Sequence, residues 1–273
     1  MESSNVRVLV LRSAGTNCDR ELALAFQKAG AQVVALHINR LAANPGQLAD
    51  YQILAIPGGF SYGDDIASGK ILANQLLRHL RDPLRQWVRD GKLIIGICNG
   101  FQALVKAGLL PGPMPQLSPD DLFPATLAPN SHARFEDRWV RLASQSNICK
   151  WIPAGRSLYL PIAHGEGRFL VRRPEVLAAL RSNDQIVLQY VTADGMPAAE
   201  FPDNPNGSAA AIAGICDITG RVLGLMPHPE RFTDSLVHPF WSRCARAPSP
   251  DGMEFFLHAV HFVRGGMAVT MKT

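Results

Sequence analysis

The sequence predicts an α/β fold: a single-domain three-layer sandwich whose mostly parallel central sheet lies between helices, with extra antiparallel strands in the second half. Three observations support this prediction. Apolar strands alternate with amphipathic helices over residues 7–108, as in parallel sheets. Residues 135–226 are instead rich in strands. The 273 residues are 47% hydrophobic and 18% charged, which is typical of a chain that buries a substantial core.

The first half supplies the parallel strands and the helices that connect them. Short apolar runs predict strands over 7–11, 32–38, 52–56 and 92–97. Helical periodicity predicts helices over 19–29, 66–80 and 99–108. Thr16 and Asp19 have the spacing of a capping box at the start of the first helix, and Gly30 ends that helix. The carboxyl ends of such strands are where ligands bind in parallel sheets.

The second half is irregular at first and then rich in strands. Six prolines and no clear periodicity predict an irregular excursion over 111–130. The predicted strands cover 135–142, 157–162, 185–191, 209–216 and 221–226, with a hairpin turn at 217–220. The predicted helices cover 174–181 and 252–264. Because no linker or repeat interrupts the chain, residues 1–273 are interpreted as one domain with a C-terminal helical extension at 234–273.

The formal net charge of +4 is modest, and most basic residues are scattered. Arg78, Arg81, Arg85 and Arg89 have spacings that place them on one helical face, although Pro83 interrupts this helix. The stripe is interpreted as a solvated face, with a docking surface for an acidic partner as the alternative. No aromatic residues alternate with these arginines, so we expect no nucleic-acid partner.

The cysteines and apolar runs indicate a reduced, cytoplasmic protein without a membrane segment. The five cysteines are widely spaced and form no Cys-x-x-Cys pair, so neither a zinc site nor a disulfide framework is predicted. Residues 1–11 contain too short an apolar run for a signal peptide. No run approaches the roughly 18 apolar residues that a membrane-spanning helix needs.

The segment Gly96-Ile97-Cys98-Asn99-Gly100 predicts a nucleophile elbow with a thiol at its tip. It follows a buried strand and opens a helix, so small residues on both sides allow the strand and helix to approach closely. A helix N-terminus stabilises negative charge on a sulfur placed there. The alternative is an inert core cysteine, since free cysteine is among the most frequently buried residue types.

A base for this thiol is predicted in the segment Met226-Pro227-His228-Pro229-Glu230, which follows another buried strand. His228 is the candidate general base, and Glu230 is the candidate partner of its imidazole. Each residue alone would be an ordinary turn or surface residue. Their joint occurrence after a strand predicts a Cys98–His228–Glu230 triad.

Two other polar loops follow predicted strands. Gly58 and Gly59 are interpreted either as a tight turn or as backbone donors to an oxyanion. The loop 164–168 is too poor in ligands for a metal site and is interpreted as pocket lining, or alternatively as a plain turn. Residues 63–71 resemble a phosphate-binding loop, but the spacing is one residue too long and Ile71 replaces the required hydroxyl residue. We therefore predict no nucleotide site there.

The motifs together resemble the class I (triad-type) glutamine amidotransferases, which have a flavodoxin-like fold. The resemblance is strongest to the glutaminase components of phosphoribosylformylglycinamidine synthase, an enzyme of purine biosynthesis. It extends from residue 7 to about residue 231. The segments that carry it are Thr16-Asn-Cys-Asp-Arg20, Pro57-Gly-Gly-Phe-Ser-Tyr-Gly-Asp64, Gly96-Ile-Cys-Asn-Gly-Phe-Gln102, Ala107-Gly-Leu-Leu-Pro-Gly112, Pro161-Ile-Ala-His-Gly-Glu-Gly-Arg168 and Gly224-Leu-Met-Pro-His-Pro-Glu-Arg231. Residues 65–74 fit the family pattern loosely, and the 111–130 stretch is longer than in compact members.

The resemblance implies a two-step hydrolysis of glutamine. Cys98 would attack the side-chain amide, release ammonia and form a γ-glutamyl thioester that water then hydrolyses. His228 would act as the base and then as the acid, and Glu230 would orient its imidazole.

The resemblance also implies the roles of the surrounding residues. The backbone N–H groups of Gly59 and Asn99 would bind the oxyanion. Gln102 and the loop of Gly165 and Glu166 would contact the substrate L-glutamine.

The family's partners follow from the same resemblance. ATP and Mg would bind a separate synthetase subunit, which a small third subunit usually accompanies, and no cofactor is expected in this chain. Ammonia would travel by a sheltered route, so glutaminase activity without the partner is expected to be low. The alternatives are the glutaminase of another class I amidotransferase, a stand-alone γ-glutamyl or peptide hydrolase, and a non-catalytic regulatory subunit.

Overall fold

The structure is a computed structural model that describes residues 5–64, 67–117, 123–244 and 248–270. Within these residues, the strands β1 to β11 are Arg7–Arg12, Gln32–His37, Ile53–Ile56, Leu93–Ile97, Ala125–Ala128, Glu136–Ser144, Ser157–His164, Arg168–Val171, Ile186–Tyr190, Ile212–Cys216 and Val222–Leu225. The helices α1 to α7 are Asp19–Lys28, Ile38–Ala43, Lys70–His79, Arg81–Arg89, Asn99–Lys106, Pro174–Ser182 and Met253–Thr270.

The main sheet has the strand order β2-β1-β3-β4-β11-β10-β9-β6-β7. The strands from β2 to β11 in this order are parallel, and those from β11 to β7 pair antiparallel. The order β2-β1-β3-β4 is that of flavodoxin-like sheets. The predicted fold class, a parallel sheet extended by antiparallel strands in the second half, is therefore confirmed, including the hairpin between β10 and β11.

Helices cover both faces of the sheet because the crossovers run in opposite directions from β1. The connection from β1 to β2 contains α1 and the connection from β3 to β4 contains α3 and α4, so right-handed crossovers place them on opposite faces. On one face α1 packs against α7, where the Phe26 and Phe256 rings meet edge to face at 4.9 Å. On the other face α3 packs against α5.

Two glycines allow α5 to approach the sheet closely. A Cβ atom on Gly100 would lie 2.1 Å from the carbonyl oxygen of Ile56, and one on Gly96 would lie 2.6 Å from the carbonyl oxygen of Gly100. Real side chains cannot fit at these distances. The glycines flanking Cys98 therefore fix the start of α5 directly against the tips of β3 and β4.

The predicted capping box at Thr16 is wrong. Helix α1 begins at Asp19 with Cys18 at the N-cap, and no side chain caps it. The Thr16 hydroxyl instead accepts a hydrogen bond from the Ser13 amide at 3.1 Å. Thr16 also forms a bridge with Gly59, so one local and one long-range contact take the place of the predicted cap.

The arginine stripe lies on two helices rather than one. The helix predicted over 66–80 begins at Lys70, after Gly69 in a left-handed conformation, and ends at His79. Residues 65 and 66 lie outside the described part of the chain. The break falls at Leu80 and not at Pro83, which sits in the first turn of α4, where a missing N–H breaks no helical hydrogen bond. The four arginine side chains are exposed, in line with a solvated face: Arg78, Arg81, Arg85 and Arg89.

The excursion predicted at 111–130 is irregular only in part. Residues Ala125–Ala128 form β5, which pairs antiparallel with β8, a strand that the sequence did not predict either. Both strands have four residues, too few for a clear periodicity. Residues 118–122 lie outside the described part of the chain. The C-terminal extension consists of short 3₁₀ turns at Ser235–Val237 and Trp241–Arg243, followed after undescribed residues 245–247 by α7.

No helix in the described segments has both the length and the apolar character needed to cross a bilayer.

Candidate active site

Cys98 lies at the tip of a sharp turn between β4 and α5. Its φ of 50° and ψ of −105° are strained for a residue with a side chain, and its amide donates a hydrogen bond to the Leu225 carbonyl at 2.8 Å. That bond ties the elbow to the neighbouring strand β11. The thiol itself is almost fully buried, lies at the N-cap of α5 and donates a weak hydrogen bond to the Ala163 carbonyl at 3.7 Å. The predicted elbow is present.

His228 and Glu230 form a buried pair just beyond the end of β11. The backbone amide of His228 donates to the Pro161 carbonyl at 2.8 Å, which fixes this loop against β7. The imidazole Nδ1 lies 2.6 Å from Glu230 Oε1, and both side chains are buried. Because a carboxylate can only accept, Nδ1 carries the proton of this bond, which leaves Nε2 free for chemistry.

The imidazole and the Cys98 thiol meet at Gly58. A Cβ atom on Gly58 would lie 2.8 Å from His228 Cε1 and 3.4 Å from Cys98 Cβ, so both side chains border the same point. Burial alone would lower the pKa of His228, but the Glu230 carboxylate and the Cys98 sulfur raise the pKa well above its ordinary value. The pocket therefore stabilises an imidazolium beside the thiol. The structure brings the three predicted triad residues together.

Gly59 lines the same cavity as Cys98, and Asn99 follows Cys98 in the chain, so the backbone of both residues lies next to the site. Among the described residues, neither amide donates a hydrogen bond to another group. Gly59 has a φ of 124°, and a Cβ there would lie 2.7 Å from the Asn17 amide. The Asn99 side chain is held by Ser61 and by Asp64, whose Oδ1 accepts from Asn99 Nδ2 at 2.9 Å. These contacts fix two free N–H groups beside Cys98, as an oxyanion hole requires.

A cavity of about 190 Å³ opens onto Cys98 and His228. The predicted substrate contacts Gly165 and Glu166 line it, as does Gln102. However, both ends of the Gln102 amide are already bonded: Nε2 donates to the Glu166 carbonyl and Oε1 accepts from Asn99. Gln102 thus holds the Glu166 backbone against the elbow in this structure.

Charged groups line the cavity in a pattern that fits an amino acid. Asp64, Asp137 and Glu166 supply carboxylates, and Arg231 supplies a guanidinium. A zwitterion has one group of each sign and can pair with both. The sequence did not identify Asp137 or Arg231 as site residues. Asp137 is a single charged residue in a predicted strand, and Arg231 is a single charged residue after Glu230.

His164 is a second buried histidine of the site that the sequence identified only as part of a loop. Burial, with a smaller contribution from nearby His228, lowers the pKa of His164 to about 3, so it is neutral. Its Nδ1 lies 3.1 Å from Asn130 Oδ1, an oxygen that also accepts from the Gly167 amide. Nδ1 is therefore the donor, and the His164 Nε2 is an acceptor with no partner among the described residues.

Cys18 is a further residue of the site that the sequence did not identify. It follows β1, far along the chain from both parts of the triad, and its side chain is only 1% exposed. Its sulfur, one ring nitrogen of His228 and one carboxylate oxygen of Glu230 all lie within 4.8 Å of one another. Arg231 Nη2 donates to the Cys18 sulfur at 3.1 Å.

Comparisons with known proteins agree with this geometry. The family model of the CobB/CobQ-like glutamine amidotransferase domain matches residues 5–263. The chain is 45% identical to "Phosphoribosylformylglycinamidine synthase subunit PurQ" of Dehalococcoides mccartyi, covering 96% of this chain and 99% of that protein. It is also 45% identical to the protein of that name from Methanococcus maripaludis, covering 85% of each.

Two solved structures are also similar to this chain. The chain matches a structure of PurLQS from Thermotoga maritima with a TM-score of 0.70 and 29% identity, covering 95% of this chain and 99% of that chain. A second match, to a glutamine amidotransferase from Thermotoga maritima, has a TM-score of 0.50 and 15% identity, covering 95% of this chain and 98% of that chain. That second match bears on the fold alone.

Proposed function

The chain belongs to the family of CobB/CobQ-like glutamine amidotransferases, and from that premise we propose that it is the glutaminase subunit of phosphoribosylformylglycinamidine synthase. It hydrolyses L-glutamine and supplies ammonia for the ATP-dependent amidation of formylglycinamide ribonucleotide in purine biosynthesis. The observation that carries this proposal is the assembled triad, in a chain 45% identical to a PurQ subunit over almost the full length of both proteins.

The first half of the reaction makes a thioester. The Cys98 sulfur attacks the side-chain amide carbon of glutamine, and His228 Nε2 takes up the thiol proton. The tetrahedral intermediate then collapses: the C–N bond breaks, and His228 gives its proton to the leaving nitrogen, which departs as ammonia. Glu230 stabilises the imidazolium that exists between these two proton transfers, and it does so through the 2.6 Å hydrogen bond to Nδ1.

The second half hydrolyses the thioester. His228 now takes a proton from water, whose oxygen attacks the thioester carbon. The C–S bond then breaks, glutamate leaves, and His228 returns the proton to the Cys98 sulfur. In both halves the negative oxygen lies near the free amides of Gly59 and Asn99. Loss of one such donor typically slows acyl transfer about 100- to 1,000-fold.

The charged lining of the cavity supports glutamine as the substrate. The Arg231 guanidinium pairs with the α-carboxylate, and the carboxylates of Glu166 and Asp137 are the candidate partners of the α-ammonium group. An amide bound in this orientation would place its carbonyl beside Cys98.

The partners we propose are a synthetase subunit and a small third subunit. The synthetase would hold ATP and Mg, and ammonia would pass to it by a sheltered route. The similarity to a chain of the PurLQS structure supports this assembly. The cytoplasm is the proposed location, because five free cysteines, four of them buried, fit a reducing compartment.

The decisive experiment reconstitutes the chain with the synthetase and small subunits from the same source. We expect formation of the amidated ribonucleotide with glutamine, ATP and Mg, and a glutaminase rate that is low without the partners and rises with them. The Cys98→Ser variant should abolish the glutamine-dependent reaction, while added ammonium salt still supports amidation. Full-rate hydrolysis by the chain alone, or no amidation by the complex, would contradict the proposal.

A further inference from the structure

A second thiol, that of Cys18, lies close to His228 and Glu230 of the triad. Cys18 occupies the N-cap position of α1, and its sulfur donates a hydrogen bond to Asn17 Oδ1 at 3.2 Å and accepts one from Arg231 at 3.1 Å. The same sulfur, a ring nitrogen of His228 and a carboxylate oxygen of Glu230 lie within 4.8 Å of one another, and all three residues are buried. The mechanism proposed above gives Cys18 no task.

Two polar atoms of this cluster have no hydrogen-bond partner among the described residues, and both offer a lone pair to a metal once the His228 imidazolium has lost its Nε2 proton. His228 Nε2 and Glu230 Oε2 are buried and have no hydrogen-bond partner. A buried acceptor without a partner costs free energy, so a ligand able to bind such atoms gains from doing so. The mechanism uses Nε2 only while substrate is bound, and it does not use Oε2.

The donor set is the one that zinc prefers. One thiolate sulfur, one imidazole nitrogen and one carboxylate oxygen are all common zinc ligands, and three protein ligands leave a fourth position for water or substrate. Zinc lies about 2.0–2.3 Å from such atoms, so its ligands are separated by roughly 3.3–3.8 Å in a tetrahedron. The three donor atoms lie within 4.8 Å of one another, so their side chains must adjust by rotation to reach these separations around the ion.

We propose that Cys18, His228 and Glu230 form an inhibitory site for Zn²⁺ that switches the glutaminase off reversibly. Binding forms one Zn–S, one Zn–N and one Zn–O bond, and it releases the Cys18 thiol proton and the second proton of the His228 imidazolium to solvent. The thiolate and the carboxylate balance the two charges of the ion within the buried site. The Arg231 guanidinium gives up its bond to the sulfur and turns into the cavity that it already lines.

Metal binding would disable the triad whichever nitrogen it uses. Coordination at Nε2 removes the base from Cys98, and coordination at Nδ1 breaks the bond to Glu230. The expected loss of glutaminase activity rests on the proposed function, but the metal site itself does not. Binding can therefore be measured separately from the reaction.

The test uses Co²⁺ as a spectroscopic substitute for Zn²⁺ on the purified full chain. A thiolate bound to Co²⁺ gives a charge-transfer absorption band in the near ultraviolet. We expect this band in the wild type and, undiminished, in Cys98→Ser, with displacement by Zn²⁺. We expect it to be lost in Cys18→Ser and in Cys18→Ala, either of which suffices if the other fails to fold. Cys244→Ser is the matched control for an exposed thiol.

Activity gives a second readout. Zn²⁺ should inhibit the wild-type glutaminase and a chelator should restore it, while in a folded Cys18 variant at least ten times more Zn²⁺ should be needed for half-inhibition. The proposal is overturned if no band forms, or if the band depends on Cys98 instead of Cys18. An inactive protein that still gives the Cys18-dependent band would count against the proposed function and not against the metal site.

Discussion

The Nδ1 atom of His228 lies 2.6 Å from a carboxylate oxygen of Glu230, in a site where both side chains are buried. This contact orients the imidazole toward Cys98. It also supplies the negative charge that offsets the burial of an imidazolium.

Replacement of Glu230 by glutamine should reduce kcat for glutamine hydrolysis. The amide keeps the shape of the carboxylate but removes its charge, and in a comparable triad such a change costs about 10⁴-fold. We expect a reduction of about 10³- to 10⁴-fold with a smaller change in KM. Steady-state glutaminase assays measure this, and a variant that retains a tenth of the wild-type kcat would contradict the assigned role.

The same pair should contribute to stability in a defined pH range. Because the folded-state pKa of His228 is raised, its contribution is complete below the unfolded pKa of about 6.5 and is lost as pH rises through the folded-state pKa. Urea unfolding at a series of pH values should therefore show a decline on the alkaline side that is weaker in Glu230→Gln. Identical pH profiles for the two proteins would argue against this ion pair.

Replacement of Gly58 by alanine should impair catalysis without unfolding the protein. The added methyl group would lie 2.8 Å from His228 Cε1, the ring atom next to the Nδ1 that Glu230 holds, so the imidazole must move away from its working position. A displacement of about 1 Å can cost on the order of 100-fold in rate. The control is Gly265→Ala, where no described residue lies within 4 Å of the new methyl group. Near-wild-type activity of Gly58→Ala would contradict the geometry.

His164 should make the protein sensitive to acid. Its pKa is about 3 in the folded state and about 6.5 when unfolded, so the unfolded chain binds more protons between these values. The free energy of unfolding must then fall as pH drops from 6.5 toward 3, by on the order of 5 kcal/mol in total. We expect His164→Gln to flatten this slope in urea titrations, whereas His79→Gln, at an exposed site of α3, should not. An unchanged slope in His164→Gln would show that other groups cause the acid sensitivity.

Replacement of Gln102 by leucine should weaken glutamine binding more than it slows the chemical step. It removes the side-chain donor to the Glu166 carbonyl and one of the two acceptors of Asn99 Nδ2, which keeps its bond to Asp64, and so loosens the loop over the cavity. We expect KM to rise about tenfold and the free energy of unfolding to fall by about 1–3 kcal/mol. Gln27→Leu, at an exposed position in α1, is the control. A large loss of kcat with unchanged KM would instead indicate a direct role in the chemical step.

The sequence predicted the parts of the fold and site that depend on local pattern. Gly96 and Gly100 around Cys98 identify the elbow because only small residues tolerate 2.1–2.6 Å approaches to backbone oxygens. His228 and Glu230 are two residues apart, so their pairing needs no knowledge of the distant fold. The strand–helix alternation likewise depends on short-range periodicity.

What the sequence could not predict depends on long-range packing. Cys18 lies close to His228 although the two residues are far apart in the sequence, and no motif records that contact. Thr16 bonds to Ser13 and bridges Gly59 instead of capping α1. Strands β5 and β8 have four residues each, too few for a periodic sequence pattern, and they are strands because they pair with each other.

Covalent trapping of Cys98 tests the central claim most directly. The full chain is incubated with a chloroketone analogue of glutamine, digested, and examined by mass spectrometry. We expect one equivalent of label, confined to the peptide that contains Cys98, absent from Cys98→Ser and prevented by excess glutamine. Label on Cys18 or another thiol instead, or glutamine hydrolysis that survives in Cys98→Ser, would contradict the assignment of Cys98 as the nucleophile.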